Sequence, residues 1–424
     1  MRAFNLQGVI LDKMEAGEKE ILLYVRSPRT EAECPLCGRK NNQAHQIKSR
    51  KVKHDIVNGK NIVLVIKKRR FKCKKCACPF SEPNIPGVTR KRSTEHFQVS
   101  AIKELVNSNF KTVGERYHVS SPTLLKYLAE RKRDIPWPDG DIILNVDEHS
   151  YAGRDLKITI GDSVSGKLLA VLKNDNQSTL RSFLKNAPEG VKSRISEACI
   201  DMKQSYRVVL GEELPHAKVV VDRFHVVREL GRQLDEIRKI IQESGRKGEK
   251  RIPRLLLLKN SDKLADWEKA RLEYIFKSYK AFQALEHCYW VKEKMREMYQ
   301  CNDYKEAKRK LDLIINDLRD QNIGKMREVR DMLIRWKPYI LNFFYSRTTN
   351  GFIEGVHNKI KTVKRMSYGF RNFRNYVLKV TLALLPFVFL PQIWHTRRLS
   401  APVLFMFTFP MIACLTYNYT KTIL

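Results

Sequence analysis

The chain has 424 residues, with 80 Lys and Arg against 46 Asp and Glu, for a formal net charge of +34. Its 43% hydrophobic content supports a sizeable core, which excludes a disordered basic tail, and the length suggests two to four domains. The charge points to a polyanionic partner, nucleic acid first, ahead of a ribosomal-type or membrane-surface role.

Met1 to Ile10 holds no apolar signal core, and four of the nine cysteines fall into two C-x-x-C pairs. A reducing cytoplasm with metal-bound thiolates fits this usage better than a disulfide framework. Alternation in Gly8–Leu11 and Glu20–Arg26 predicts two strands of a hairpin. After the cysteines, Glu95 to Asn107 reads as a helix, and Val113 to Ile135 as two short helices broken at Val119-Ser-Ser-Pro122. Pro136-Trp-Pro-Asp-Gly140 is a turn-rich boundary. Strands follow at Ile142–Asp147, Leu156–Asp162 and Lys167–Leu172, then a helix at Thr179–Asn186 and a strand at Arg194–Asp201. A helix at Ser205–Leu210 and a strand at Lys218–Asp222 complete an α/β order. From Phe224 to Tyr345 the pattern is helical and highly charged, and Asn350 to Thr362 is a further helix.

Cys34-Pro-Leu-Cys37 and Cys73-Lys-Lys-Cys76, with 35 residues between them, suit a zinc ribbon, each pair closing two corners of a tetrahedron. Cys78 rivals Cys76, which has the better spacing, and Cys199, Cys288, Cys301 and Cys414 read as buried thiols. Lys48 to Lys75 holds twelve basic residues and one acid, with Lys67, Lys68, Arg69 and Arg70 running into the second knuckle as candidate phosphate contacts. The short helix pair has helix-turn-helix length, with Ser121 expected to cap the second helix and Lys126 facing DNA.

Asp147, Asp201 and Asp222 each close a predicted strand, and strand ends in an α/β sheet converge on one crevice. Carboxylates gathered there need a cation, and Mg²⁺ or Mn²⁺ suits phosphodiester chemistry. Turn acids are the plainer reading of any one of them. Between Ser346 and Lys379 a lone acid, Glu354, stands among eight Lys and Arg. That is an odd choice for solubility alone and a natural one for a metal ligand on a phosphate-binding helix.

Val146-Asp-Glu148, Cys199-Ile-Asp-Met with Tyr206, Ala217 to Val226, and Asn350-Gly-x2-Glu354-Gly-x2-Asn358-Lys-Ile-Lys361 through Tyr368-Gly-Phe-Arg-Asn372 together resemble the ISL3 family of insertion-sequence transposases. Cys34-Pro-x-Cys37-Gly and Arg69-Arg-Phe-x-Cys73 resemble that family's zinc ribbon. The resemblance implies a DDE transposase with an RNase H-like core, in which Asp147, Asp201 and Glu354 match the three catalytic acids. Asp222 competes with Asp201 for the second place. Glu148 and His225 are read as supporting or structural. Asn358, Lys361, Lys364 and Arg365 would grip the scissile strand.

The expected domains are a zinc ribbon over 1–92, a helix-turn-helix over 93–138, and an RNase H-like core over 139–223 and 346–382. A helical insertion covers 224–345, and an atypical tail covers 383–424. The implied partners are double-stranded DNA, at the terminal inverted repeats and the target, and a second copy of the chain; no membrane is involved. A cytoplasmic, nucleoid-associated bacterial location follows. A non-catalytic DNA-binding regulator and a structure-specific nuclease are the competing readings. The tail has three basic residues and no acids, as a shifted reading frame or an oligomer-contact segment would give.

Overall fold

The computed structural model describes residues 8–88, 92–244, 252–278, 282–319 and 324–390. The chain divides into two compact units, residues 1–134 with 360–424, and residues 135–359. Most of the atypical tail, Cys414 included, lies outside the described residues. Among the described residues no helix is long and apolar enough to cross a membrane.

In the first unit the strands are β1 (Ile10–Ala16), β2 (Glu20–Arg26), β3 (Ala32–Glu33), β4 (Lys40–Asn41), β5 (Gln46–Val57), β6 (Lys60–Lys72) and β7 (Pro79–Ser81). The main sheet runs β1-β2-β6-β5, with β7 also on β6. The expected β1–β2 hairpin is present. A second hairpin, β5–β6, turns at Asn58-Gly59, both at positive φ, because a two-residue loop with that twist requires the left-handed region. Alternate residues Leu23 and Val25 of β2 pack with Val52, Ile62, Leu64 and Ile66.

Helix α1 (Glu95–Leu105) is capped by Thr94, whose hydroxyl accepts the Phe97 N–H, and buries Phe97, Ala101, Ile102 and Leu105. Helix α2 (Phe110–Arg116) is capped by Asn109. Helix α3 (Ser121–Arg131) begins at its expected cap residue, so that Ser120 holds the cap position, with its hydroxyl 2.9 Å from that of Thr123. Pro122 then lies in the first helical turn, where no N–H is needed. The turn between α2 and α3 is tight enough that a Cβ on Gly114 would sit 2.7 Å from the Val119 carbonyl oxygen. The helix Phe373–Leu384 belongs to the same unit, and its fully buried Lys379 donates to the Leu105 carbonyl at the end of α1. Residues 385–390 continue the packing, with Leu385, Val388, Phe389 and Leu390 buried, so the described start of the tail is part of the fold.

The second unit holds β8 (Ile142–Ala152), β9 (Asp155–Asp162), β10 (Lys167–Val171), α4 (Gln177–Lys185), α5 (Glu189–Lys192), β11 (Ile195–Ile200), α6 (Gln204–Glu213) and β12 (Lys218–Val221). The sheet order is β10-β9-β8-β11-β12. The first three strands form an antiparallel meander, and β8, β11 and β12 are parallel. This is the expected α/β order. It differs in one respect: β8 does not stop at Asp147 but runs on to Ala152 against β9.

Helices α7 (Arg223–Ser244), α8 (Arg254–Leu258), α9 (Asp266–Ser278), α10 (Phe282–Met298), α11 (Tyr304–Asp317) and α12 (Gly324–Ser346) follow. One apolar cluster runs from Ile142, Val146 and Val220 of the sheet to Leu285, Leu311, Leu333 and Phe344 of these helices. Helix α13 (Gly351–Met366) then begins on the meander, where Gly161 of β9 faces Phe352 and Ile353. A Cβ on Gly161 would lie 2.5 Å from the Phe352 ring and 3.0 Å from Ile353. Gly161→Ala is therefore expected to push the start of α13 off the sheet and cost about 1–3 kcal/mol, read as a lower urea midpoint in unfolding.

Candidate active site and cysteine cluster

The parallel register builds the site. Ile200 of β11 pairs with Val146 of β8 on one side and with Val221 of β12 on the other. One residue further along each strand stand Asp147, Asp201 and Asp222. Residues at one level of parallel strands point to one face of the sheet, so the register alone aligns three acids in a row. Asp147 is held inside the sheet rather than at its end, because its own strand continues.

Asp147, Asp201 and His225 each present a ligand atom within 4.8 Å of the others. His225 enters from the first turn of α7, where its backbone N–H donates to the Asp222 carbonyl. Its Nδ1 lies 2.7 Å from Asp201 Oδ1 and 3.0 Å from Asp222 Oδ2. Asp222 is nearly buried and also accepts the Asn350 N–H at 3.4 Å. Burial and then the charge of Asp201 push the Asp147 carboxyl up to about 7, against the Glu148 N–H bond and His225. Burial alone would lower the His225 pKa, but bonding to Asp201 and Asp222 lifts it to about 9. Acids repelled in this way, with oxygen donors and one imidazole facing each other, fit a hard divalent cation.

A second polar chain supports Asp147. His357 of α13 places Nδ1 3.5 Å from Asp147 Oδ2 and Nε2 3.0 Å from the Thr159 hydroxyl. His149 Nδ1 meets the same hydroxyl at 2.7 Å. The Thr159 hydroxyl thus joins the two imidazoles, and through His357 the chain reaches Asp147. Asn145 donates to Asn350 Oδ1 at 3.1 Å and to the Thr349 carbonyl at 2.9 Å, fixing the start of α13. On the outer side Lys203 joins Glu148 to Asp175, and Tyr206 donates to Glu148 at 2.5 Å.

The four cysteines of the two knuckles also converge, with Cys34, Cys37, Cys73 and Cys76 within 4.8 Å of one another. Cys34 and Cys76 are 3.5 Å apart, as are Cys37 and Cys73. Cys78 is not in the group; its thiol points to the Pro79 carbonyl. Backbone N–H groups of Cys76 and Lys75 hold the Cys73 thiol down at about 6. The knuckles are alike: Gly38 N–H donates to the Cys34 carbonyl at 2.9 Å and Ala77 N–H to that of Cys73 at 3.0 Å. Both acceptor turns need a left-handed residue, and Ala77 adopts φ +57° without being glycine. Ala77→Gly is expected to stabilise this knuckle by about 1 kcal/mol, seen as a higher Tm.

A family model described as a transposase, DDE_Tnp_ISL3, matches residues 144–380, and one described as the zinc-finger of transposase IS204/IS1001/IS1096/IS1165 matches residues 30–76. The chain belongs to the ISL3 family of DDE transposases. It is 24% identical over 390 residues to the transposase for insertion sequence element IS1001 of Bordetella parapertussis, covering 89% of this chain and 95% of that one. It is also 24% identical over 303 residues to the transposase for IS1557 of Mycobacterium tuberculosis (strain CDC 1551 / Oshkosh), covering 64% of this chain and 65% of that one. The zinc-ribbon match and the four-cysteine cluster together support a structural zinc ion.

Within this ISL3 transposase, Glu354 is exposed on the first turn of α13 and is not one of the three clustered ligand residues. His357, on the next turn, reaches Asp147 instead. Neither His225 nor His357 stood out as a ligand-type residue in the sequence. The available signal was spacing: His225 follows Asp222 by three residues and His357 follows Glu354 by three, each placing the ring on the face of the acid.

The basic candidates separate. Arg69 is a clamp, bonding Glu82 at 2.9 Å and the carbonyls of Arg29 and Thr30. Lys67 lies 3.5 Å from Asp12, and Lys68 donates to Asn84 at 2.6 Å. Arg70, Lys126, Asn358, Lys361 and Arg365 are exposed, whereas Lys364 is half-buried and burial lowers its pKa.

Proposed function

We propose that this transposase binds the terminal inverted repeats of its insertion sequence and catalyses metal-dependent strand cleavage and strand transfer. The observation that carries the reading is the register that sets Asp147, Asp201 and Asp222 side by side within the stretch matched by the transposase model. The strand order, with the third, second and first strands in succession followed by the fourth and fifth, supports an RNase H-like core. The α2–α3 pair with its tight Gly114 turn supports a helix-turn-helix, and a ribbon over 1–92 and an insertion over 224–345 fit the element order.

Asp147 and Asp201 would hold Mg²⁺ or Mn²⁺, with Glu354 completing the set. The bound ion would stabilise charge on the phosphoryl oxygens and ease deprotonation of the attacking water. Asp222 acts chiefly through others: it fixes His225 against Asp201 and receives the start of α13 through the Asn350 N–H. His357 orients the second oxygen of Asp147. In the first step water attacks a phosphodiester at the transposon end and a 3′ oxygen leaves. In the second that 3′-OH attacks a target phosphodiester, releasing the target's own 3′ oxygen. Arg70, Lys126, Asn358, Lys361, Lys364 and Arg365 are the residues assigned to contact DNA phosphates. Two ends must be paired, so the active form is at least a homodimer on DNA, in a bacterial cytoplasm.

A labelled transposon end tests the reading. A transposase cuts and joins it, a nuclease only cuts it, and a regulator only binds it. Binding without cleavage in Mg²⁺ and in Mn²⁺ would sink the proposal.

A further inference from the structure

The turn after α13 holds two successive residues at positive φ, Tyr368 and Gly369. Tyr368 N–H donates to the Arg365 carbonyl at 3.1 Å and Gly369 N–H to that of Lys364 at 3.0 Å, the paired bonds that close a helix with one left-handed residue. That residue is normally glycine, because a Cβ is strained there. Here it is Tyr368, at φ +54°, and it is followed by Gly369, itself at φ +89°. The strain does not serve packing, since the Tyr368 side chain is 92% exposed. Its neighbours Phe370 and Phe373 behave conventionally and lie against Tyr376. From Lys361 to Arg374 the segment carries Lys361, Lys364, Arg365, Arg371 and Arg374 and no acid.

We propose that Tyr368 is a nucleobase-stacking residue, held out by a strained helix cap to take an unpaired base of bound DNA while the surrounding cations hold its phosphates. The proposal rests on the reading of this chain as a DNA-acting transposase. A ring with two faces in solvent is what an unstacked base requires, and stacking is tolerant of sequence. A left-handed tyrosine costs stability, and such strain persists where the side chain's position is used. A double-stranded site would need only the cations, so the aromatic ring selects DNA with unstacked bases.

The test compares wild type with Y368G, Y368A and Y368W on two forms of a terminal-repeat duplex, fully paired and carrying a short run of unpaired thymines. Y368G and Y368A are expected to lose about tenfold in affinity for the unpaired form and little for the paired one, while Y368W matches wild type. Y368G is also expected to melt at a higher temperature than wild type, because it relieves the cap. Unchanged affinity of Y368G for the unpaired form overturns the proposal. An equal loss on both forms overturns it too, marking a general phosphate or structural role. A dimer in wild type that Y368G dissolves, with DNA affinity intact, assigns the ring to a second copy and likewise overturns it. If wild type binds neither duplex, the DNA-transposase reading fails on its own account.

Discussion

Asp201→Asn is expected to abolish cleavage of the transposon end, by roughly a thousandfold or more, while leaving affinity for the terminal repeat within about twofold, since phosphate contacts dominate binding. Asp147→Asn should match it. Both substitutions keep size; Asp147→Asn relieves the repulsion between Asp147 and Asp201, and Asp201→Asn leaves Asp222 to pair with His225. Asp222→Asn separates the two candidates for the second acid. Asp222 is nearly buried and already bonded to His225 and to the Asn350 N–H, whereas Asp201 is more open. The expected result for Asp222→Asn is partial activity that returns at raised Mg²⁺ or Mn²⁺. Full and irreversible loss there, with activity surviving in Asp201→Asn, would exchange their roles. Glu354→Gln is expected to stop cleavage and spare binding, and normal cleavage by it would remove Glu354 from the site.

Stripping zinc is expected to unfold the ribbon and remove end binding. The local core beneath the knuckles consists of Ala32, Phe71 and Phe80 around Cys34 and Cys73, too little to hold the segment without an ion. A structural zinc site contributes about 10–16 kcal/mol, comparable with the whole net stability of a domain, about 5–15 kcal/mol. Chelation, or Cys73→Ser, should therefore give a separate low-temperature unfolding step and loss of terminal-repeat binding, both restored by added Zn²⁺ in the chelated wild type alone. Undiminished binding by the metal-free chain would refute this.

Much of the sheet was legible because its strands are short apolar runs bounded by turns, and the acids at 147, 201 and 222 closed those runs. The sequence misplaced the end of β8, since Glu148-His-Ser-Tyr looks too polar for a strand. Pairing with β9 keeps it extended, and His149 is satisfied by Thr159 across that pair. Arg69 looked like a phosphate contact because charge runs do not reveal partners thirteen residues away, and Glu82 is such a partner. The roles of His225 and His357 come from contacts across the sheet, and a lone histidine in a sequence carries no sign of them. Glu354 was conspicuous by charge alone, and its partnership with the two aspartates still rests on the family resemblance.

The hydrogen bond from Asn350 to Asp222 spans 128 residues. Asp147, Asp201 and Asp222 are all synthesised before α7 begins, yet the group that steadies Asp222 and the imidazole that faces Asp147 arrive only after α12 is made. Contacts so distant along the chain form slowly. A nascent or truncated chain that stops short of Asn350 is therefore expected to hold a sheet with three neighbouring acids and no finished site, so the site is completed only once α13 has been made.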